Sequence, residues 1–298
     1  MRNRNWLLFL LLAFIWGANW SVMKLGLSFV TPANLLFQQY VISFVSLSPV
    51  FISLRRRIPR DKSIFSRLLV YSIIYVIQMT LMRWGLVGES SGMGAVLTYL
   101  QPLFVFCLAI PFLSEKMTTP KLLGAIIGFA GVCLLFIGKI GTLSISSSLI
   151  MISSAFLWAV ATIYYKRFLQ KVDPFVTNFF QLSIGAFPLA LFCLVTNTFS
   201  FPMSLEYFWI ILYSSVGSFA IGWSIWLFLL KQEDATTLSG SSFIIPGIAL
   251  VIGWRFMEEN IGLEAAFGSA LILGGVYLVN FMKKQKTRRQ TAISPQQK

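Results

Sequence analysis

The sequence predicts an all-α integral membrane protein of ten transmembrane helices, arranged as two inverted five-helix repeats. Three observations point there. The 298 residues are 57% hydrophobic and only 11% charged, too little charge to cover the surface of a soluble domain. The apolar residues fall in stretches close to the roughly 20 residues a helix needs to cross hydrocarbon. Finally, "AFIWGANWSVMK" at 13–24 returns as "AFLWAVATIYYK" at 155–166, so the opening of the first stretch is written twice.

Spans are expected at about 6–27, 34–54, 65–87, 93–113, 120–138, 147–168, 175–197, 205–229, 236–256 and 263–282. With both termini cytoplasmic, the inner segments collect Arg2, Arg4, Arg55, Arg56, Arg57, Arg60, Lys62, Arg67, Lys116, Lys121, Lys166, Arg167, Lys171, Lys231, Lys283, Lys284, Lys286, Arg288, Arg289 and Lys298. Only Lys24, Arg83, Lys139 and Arg255 fall near the opposite face, as the positive-inside bias requires. The net charge of +14 is therefore a topology signal and not a nucleic-acid footprint. The tail at 284–298 reads as a basic, disordered cytoplasmic end, either touching anionic lipid or serving only as an anchor. Cys107, Cys133 and Cys193 lie inside apolar stretches and imply no disulfide framework. The first apolar run is too long for a cleavable signal and leads into further spans.

The repeat runs through most of each half. At a shift of 142, Pro32 meets Pro174, Phe37 meets Phe179 and Gln39 meets Gln181. At a shift of 144, Pro102 meets Pro246, Glu115 meets Glu259, Gly124 meets Gly268 and Gly131 meets Gly275. A two-residue slip separates the blocks, and the halves divide as 1–141 and 142–283. Five spans per half is an odd number, so the second half must cross the membrane upside down. Lys24 and its counterpart Lys166 then end their helices at opposite faces. Inverted halves of this kind can exchange inward-open and outward-open shapes around a central site, supplying both gates of a transporter.

The runs "LLAFIWGANWSVMKLGL", "TPANLLFQQY" and "GLVGESSGMGAVLTYLQPLFVFCLAIPFLSEKMTTPKLLGAIIGFAGVCLL" resemble one EamA repeat of the drug/metabolite transporter superfamily. A second copy begins at "AFLWAVATIYYKRF" and ends with "GSALILGGVYLV", and together the copies cover nearly the whole chain. The resemblance implies a central substrate cavity and a carrier or exporter of amino acids, other metabolites or toxic compounds, at the plasma (inner) membrane. One departure stands out. Members usually carry an Arg seven residues after the Pro equivalent to Pro32, and here that position is Gln39, with Gln181 in the second copy.

The candidate substrate contacts are polar or aromatic residues deep in the spans, because an unpaired amide in hydrocarbon costs several kcal/mol and must face a partner helix or a wet cavity. They are Trp16, Asn19, Gln39, Tyr99, Gln101, Trp158, Gln181 and Ser242, with Gln38, Gln78, Thr98 and Asn178 at similar depth. Some of these residues serve instead as bonds between helices. Asn19 shares a helical face with Trp16. Tyr99 and Gln101 precede Pro102, whose missing N–H predicts a helix break mirrored at Pro246, the kind of interruption that marks midplane sites. Trp16 and Trp158 sit near span centres, too deep for an interfacial belt. Four further residues have gating or anchoring readings. Lys24 is an architectural anchor repeated as Lys166, and Arg83, unmatched in the second half, either lines the outer vestibule or snorkels to water. Glu115 and Glu259 either latch a gate across an interface or cap the next helix. The small-residue faces of "GAIIGFAG" and "GSALILGG" signal close helix packing, within the chain or in a homodimer.

All ten acidic residues fall in loops or at span ends, and there is no His. Proton-coupled carriers commonly use such a group inside the membrane, so facilitated transport or exchange is expected. The same lack argues against an intramembrane enzyme, and the absence of a GxxxxGK[ST] loop excludes ATP-driven transport by this chain alone. No cofactor and no metal is called for. The partners expected are a small-molecule substrate, neutral or zwitterionic, and membrane lipid. A channel-like pore is the alternative.

Overall fold

The structure, a computed structural model, describes residues 1, 3–54, 61–137 and 144–257, with scattered positions between 264 and 278. The described residues are helical throughout, with eight helices long and apolar enough to span a membrane and a shorter apolar helix at Thr119–Gly131. The span expected at 263–282 lies mostly outside the described residues, as do Glu259, Lys139 and the tail at 284–298.

In chain order the first half contains α1 (Asn3–Gly26), α2 (Pro32–Ser53), α3 (Lys62–Val87), α4 (Ser91–Thr98), α5 (Gln101–Leu113) and α6 (Thr119–Ile137). The second contains α7 (Ile145–Tyr164) with a π turn at Tyr165–Leu169, then α8 (Pro174–Val195) and α9 (Leu205–Leu212). A π segment at Tyr213–Gly222 follows, with α10 (Trp223–Gln232), α11 (Ala235–Ser241) and α12 (Ile244–Met257). Local chemistry starts the helices alike in both halves. The Thr31 hydroxyl accepts from Asn34 N–H ahead of Pro32, and the Asp173 carboxylate accepts from Phe175 N–H ahead of Pro174. An acceptor at the cap followed by proline, whose fixed φ suits the first turn, is a strong start signal.

The packing repeats as the sequence does. α1 lies along α12, and its counterpart α7 lies along α5; α3 packs on α7, and the α9–π–α10 helix packs on α1. α2 pairs with its own counterpart α8. Each contact thus returns with the halves exchanged, and the equivalent residues Trp16 and Trp158 meet at 5.8 Å between ring centroids. The small-residue face of α6 is used within the chain. A Cβ at Gly275 would lie 2.6 Å from Gly128 N, so only glycine lets the two backbones approach this closely. Leu7, Phe14, Val45, Ile52, Phe187 and Val195 stay exposed and form the apolar exterior expected against lipid.

The two-residue slip has a physical counterpart. The span Lys62–Val87 has 26 residues, whereas Leu205–Gln232 has 28 and contains the π segment. A π segment widens the helix and places more residues in the same rise.

Candidate functional site: an occluded cavity where the halves meet

The expected helix breaks are present in both copies. α4 stops at Thr98 and α5 resumes at Gln101, with Leu103 N–H reaching Leu100 O at 3.0 Å. Pro102 has no N–H to offer the Thr98 carbonyl. In the second half the interruption falls at Ser242 and Phe243, again just before a proline.

Beside the first break lies a cavity of about 40 Å³. By the usual allowance of about 10–15 Å³ per water, it has room for a few waters and not for a metabolite. One side is α1, with Trp16, Asn19, Trp20 and Met23; another is α3, with Gln78, Met79, Met82 and Arg83. Thr98 and Tyr99 come from the break, Trp158 from α7, Ser218 and Phe219 from the π segment, and Trp223 from α10. Every one of these side chains is buried, so the cavity lies in the protein interior.

The aromatic wall is built around Trp16. Its ring lies 4.8 Å from Trp223 and 5.5 Å from Trp226, and Trp158 lies 5.4 Å from Trp226. Trp16 Nε1–H donates to Ser218 O at 3.3 Å. This carbonyl belongs to the π segment, whose altered ladder leaves backbone acceptors for side chains. Asn178 takes two more, donating from Nδ2 to Phe219 O at 3.0 Å and Ala220 O at 3.2 Å. Gln181 supports Asn178, donating to its Oδ1 at 2.7 Å. Gln181 therefore lies behind the wall, holding the π segment in place.

Arg83 is the one cation among the residues lining the cavity, and it is wholly buried. It neither snorkels nor stands at an outer vestibule: its side chain turns inward, because Gln39 offers it a partner there. Gln39 Oε1 accepts from Arg83 Nη2 at 2.7 Å and from Nε at 3.2 Å, while Gln39 Nε2 donates to Ser214 Oγ at 3.0 Å. The guanidinium carbon sits 5.5 Å from the Phe219 centroid. Arg83 Nη1 has no hydrogen-bond partner, and the same holds for Asn19 Oδ1, Gln78 Oε1, Thr98 Oγ1 and Trp158 Nε1 around the cavity.

The remaining expected residues stand elsewhere. Gln101 Nε2 reaches Thr162 Oγ1 at 3.3 Å and Ser239 Oγ at 3.4 Å, joining the broken helix to α7 and α11 outside the cavity lining. Ser242 Oγ–H donates to Ser239 O at 2.6 Å within its own break. Lys24 Nζ donates to Leu86 O at 3.0 Å and Val87 O at 2.9 Å, closing the carbonyl end of α3. Glu115 caps a helix, though not the next one in sequence. Its carboxylate accepts from Ala235 N–H at 2.7 Å, Thr236 N–H at 3.2 Å and Thr236 Oγ1 at 2.6 Å, all in the other half. Lys121 completes this cross-half contact, 3.0 Å from Asp234 Oδ2 and 2.7 Å from Thr236 Oγ1. No group of three or more metal-ligating side chains occurs among the described residues.

Met79, Met82, Ser218 and Phe219 were not singled out from sequence. The α3 residues had a signal, since Tyr75, Met79 and Met82 recur at helical spacing beside the deep polar Gln78 and Arg83. The π-segment residues had none.

The EamA-like transporter family model matches twice, at residues 4–137 and 145–281. The chain belongs to the EamA-like transporter family. Among its relatives, the uncharacterized transporter YvbV of Bacillus subtilis is 29% identical, covering 100% of this chain and 97% of that protein. The uncharacterized transporter YoaV of the same organism is 26% identical over 90% of this chain and 93% of its own length. A probable terminal-alkyne amino-acid exporter of Streptantibioticus cattleyicolor is 22% identical, covering 94% of each chain. A solved crystal structure superposes with a TM-score of 0.79 at 18% identity, covering 96% of this chain and 99% of that one, and shares the fold. The chain is thus a multi-pass membrane protein of a transporter family.

Proposed function

We propose that this protein is a secondary transporter that carries a small organic solute across the plasma membrane by alternating access, as a facilitator or exchanger. The carrying observation is the occluded cavity at the contact of Trp16 with its repeat counterpart Trp158. A site on the line where equivalent helices exchange partners is equally placed to open toward either face. The duplicated sequence, the exchanged packing and the basic-residue bias support two inverted five-helix halves with cytoplasmic termini. The described cavity lining contains no carboxylate and no His, which supports exchange or facilitated diffusion over proton coupling. The paired amides and aromatic walls, together with a relative named as an amino-acid exporter, favour an amino acid-like solute.

The test is counterflow in proteoliposomes of the full chain, preloaded with a panel of metabolites. A carrier gives transient accumulation of labelled solute that saturates with concentration and persists when the pH gradient is collapsed. Non-saturating flux without counterflow defeats the reading in favour of a pore.

A further inference from the structure

Arg83 raises a question that packing alone does not answer. A guanidinium sealed from water at the centre of a membrane protein needs a counter-charge or a full set of acceptors. Here it has neither. Among the described residues its only hydrogen-bond acceptor is the neutral Gln39 Oε1; the Phe219 ring and the unbonded hydroxyls of Tyr40 and Tyr75 are its other neighbours, and Nη1 of this cavity-lining residue is left without a partner. The Gln39 amide is itself fixed by Ser214, so two of the guanidinium nitrogens are held in place and Nη1 is the one left unbonded.

The neighbours extend the same chemistry. Trp158 Nε1–H is a second buried donor without a partner, and Thr98 Oγ1 a third group able to donate. Both line the cavity with Arg83. A planar oxyanion of single charge satisfies such donors, and a guanidinium is suited to it by charge and geometry. A dianionic phosphate would leave a net negative charge buried with no second cation among the described lining residues.

We infer that the transported solute carries a carboxylate, bound by Arg83 Nη1 with Trp158 Nε1 beside it, and that Gln39 is the positioning residue that aims the guanidinium. This deepens the transporter reading and rests on it. A simple monocarboxylate neutralises the one cation of the lining on binding, whereas an amino acid brings its own ammonium, which the aromatic wall can accept by cation–π contact along with the solute's apolar part. The cavity widens as the solute enters, since its occluded volume holds only water.

The test uses matched pairs: L-phenylalanine with L-phenylalaninamide, and phenylacetate with phenylacetamide. Each is measured by thermal stabilisation of the purified full chain in detergent and by counterflow in proteoliposomes. At least one acid should stabilise and exchange at about tenfold lower concentration than its amide, the scale of one charge-assisted hydrogen bond. Arg83→Gln should erase that preference. Arg83→Lys, which keeps the charge but loses the fork, should keep it with affinity lowered about tenfold. Trp158→Phe, which removes the donor but little volume, guards against an unfolded Arg83→Gln protein and should weaken the acid more than the amide. Amides matching their acids in the wild type, no acid acting in either assay, or an acid preference surviving Arg83→Gln each overturn the inference. Saturable counterflow of uncharged solutes without acid preference sinks the inference and leaves the transporter reading standing. Acid-selective stabilisation lost in Arg83→Gln, with no counterflow of any solute, sinks the transporter reading and leaves the site standing.

Discussion

The two halves share a scaffold but divide the site unequally. In the first half the cavity receives Asn19, Gln78, Arg83, Thr98 and Tyr99. Their counterparts in the second half, at shifts of 142 or 144, are Ala161, Gly222, Leu227, Ser242 and Phe243. Charge and amides thus come from one copy, whereas the other contributes Trp158, Trp223 and, from the π segment, Ser218 and Phe219. Duplication gives the two copies of the scaffold; divergence within it leaves the charge and the amides of the lining to one copy.

Moving charge into the wrong half should have the largest effect. Leu227 is fully buried, and Leu227→Arg would place a guanidinium there, whereas Gln181, the counterpart of Gln39, is already engaged with Asn178. An unpaired buried charge costs several kcal/mol, on the order of 3–5, so folded yield in detergent should collapse, whereas a variant folding normally would show that the halves are interchangeable. Next is Gly222→Ala. Its Cβ would lie 2.6 Å from Trp16 Nε1, and overpacking typically costs about 1–3 kcal/mol. A lowered melting temperature and altered tryptophan fluorescence are expected, against no change for Gly247→Ala, where nothing lies within 4 Å.

The cross-half contacts follow. Glu115→Gln removes the charge that caps α11, worth about 1 kcal/mol by analogy with other helix caps. It should raise maleimide labelling of a cysteine placed at Ser239, behind that contact. Lys24→Ala, at the other end, removes donors to two carbonyls at a partly exposed site. Only about 0.3–1 kcal/mol is expected there, read as a small melting shift with flux retained.

The comparison also shows what sequence patterning carries. Eight of the ten expected span positions, the duplication and the proline-linked breaks were legible because hydrophobic length and proline chemistry act locally. The inward turn of Arg83 was not, because its partner Gln39 lies 44 residues away and no periodicity connects them. Charge alone suggested a residue near a membrane face; the hydrogen bond to Gln39 places it in the core. The π segment was invisible for a different reason. Its composition is that of any apolar helix, and only the two-residue slip hinted that the second copy holds extra chain. Gln101 and Gln181 were correctly read as deep and polar, but depth does not distinguish a cavity wall from a bond between helices.

The most direct test of alternating access is paired cysteine labelling in a background lacking Cys107, Cys133 and Cys193. One probe replaces Ser91 at the start of α4 and the other replaces Ser239 in α11, fully buried positions in the two halves. The account predicts that conditions raising impermeant maleimide labelling at one position lower it at the other. Labelling that rises at both together would mean a path open from face to face, and would contradict it.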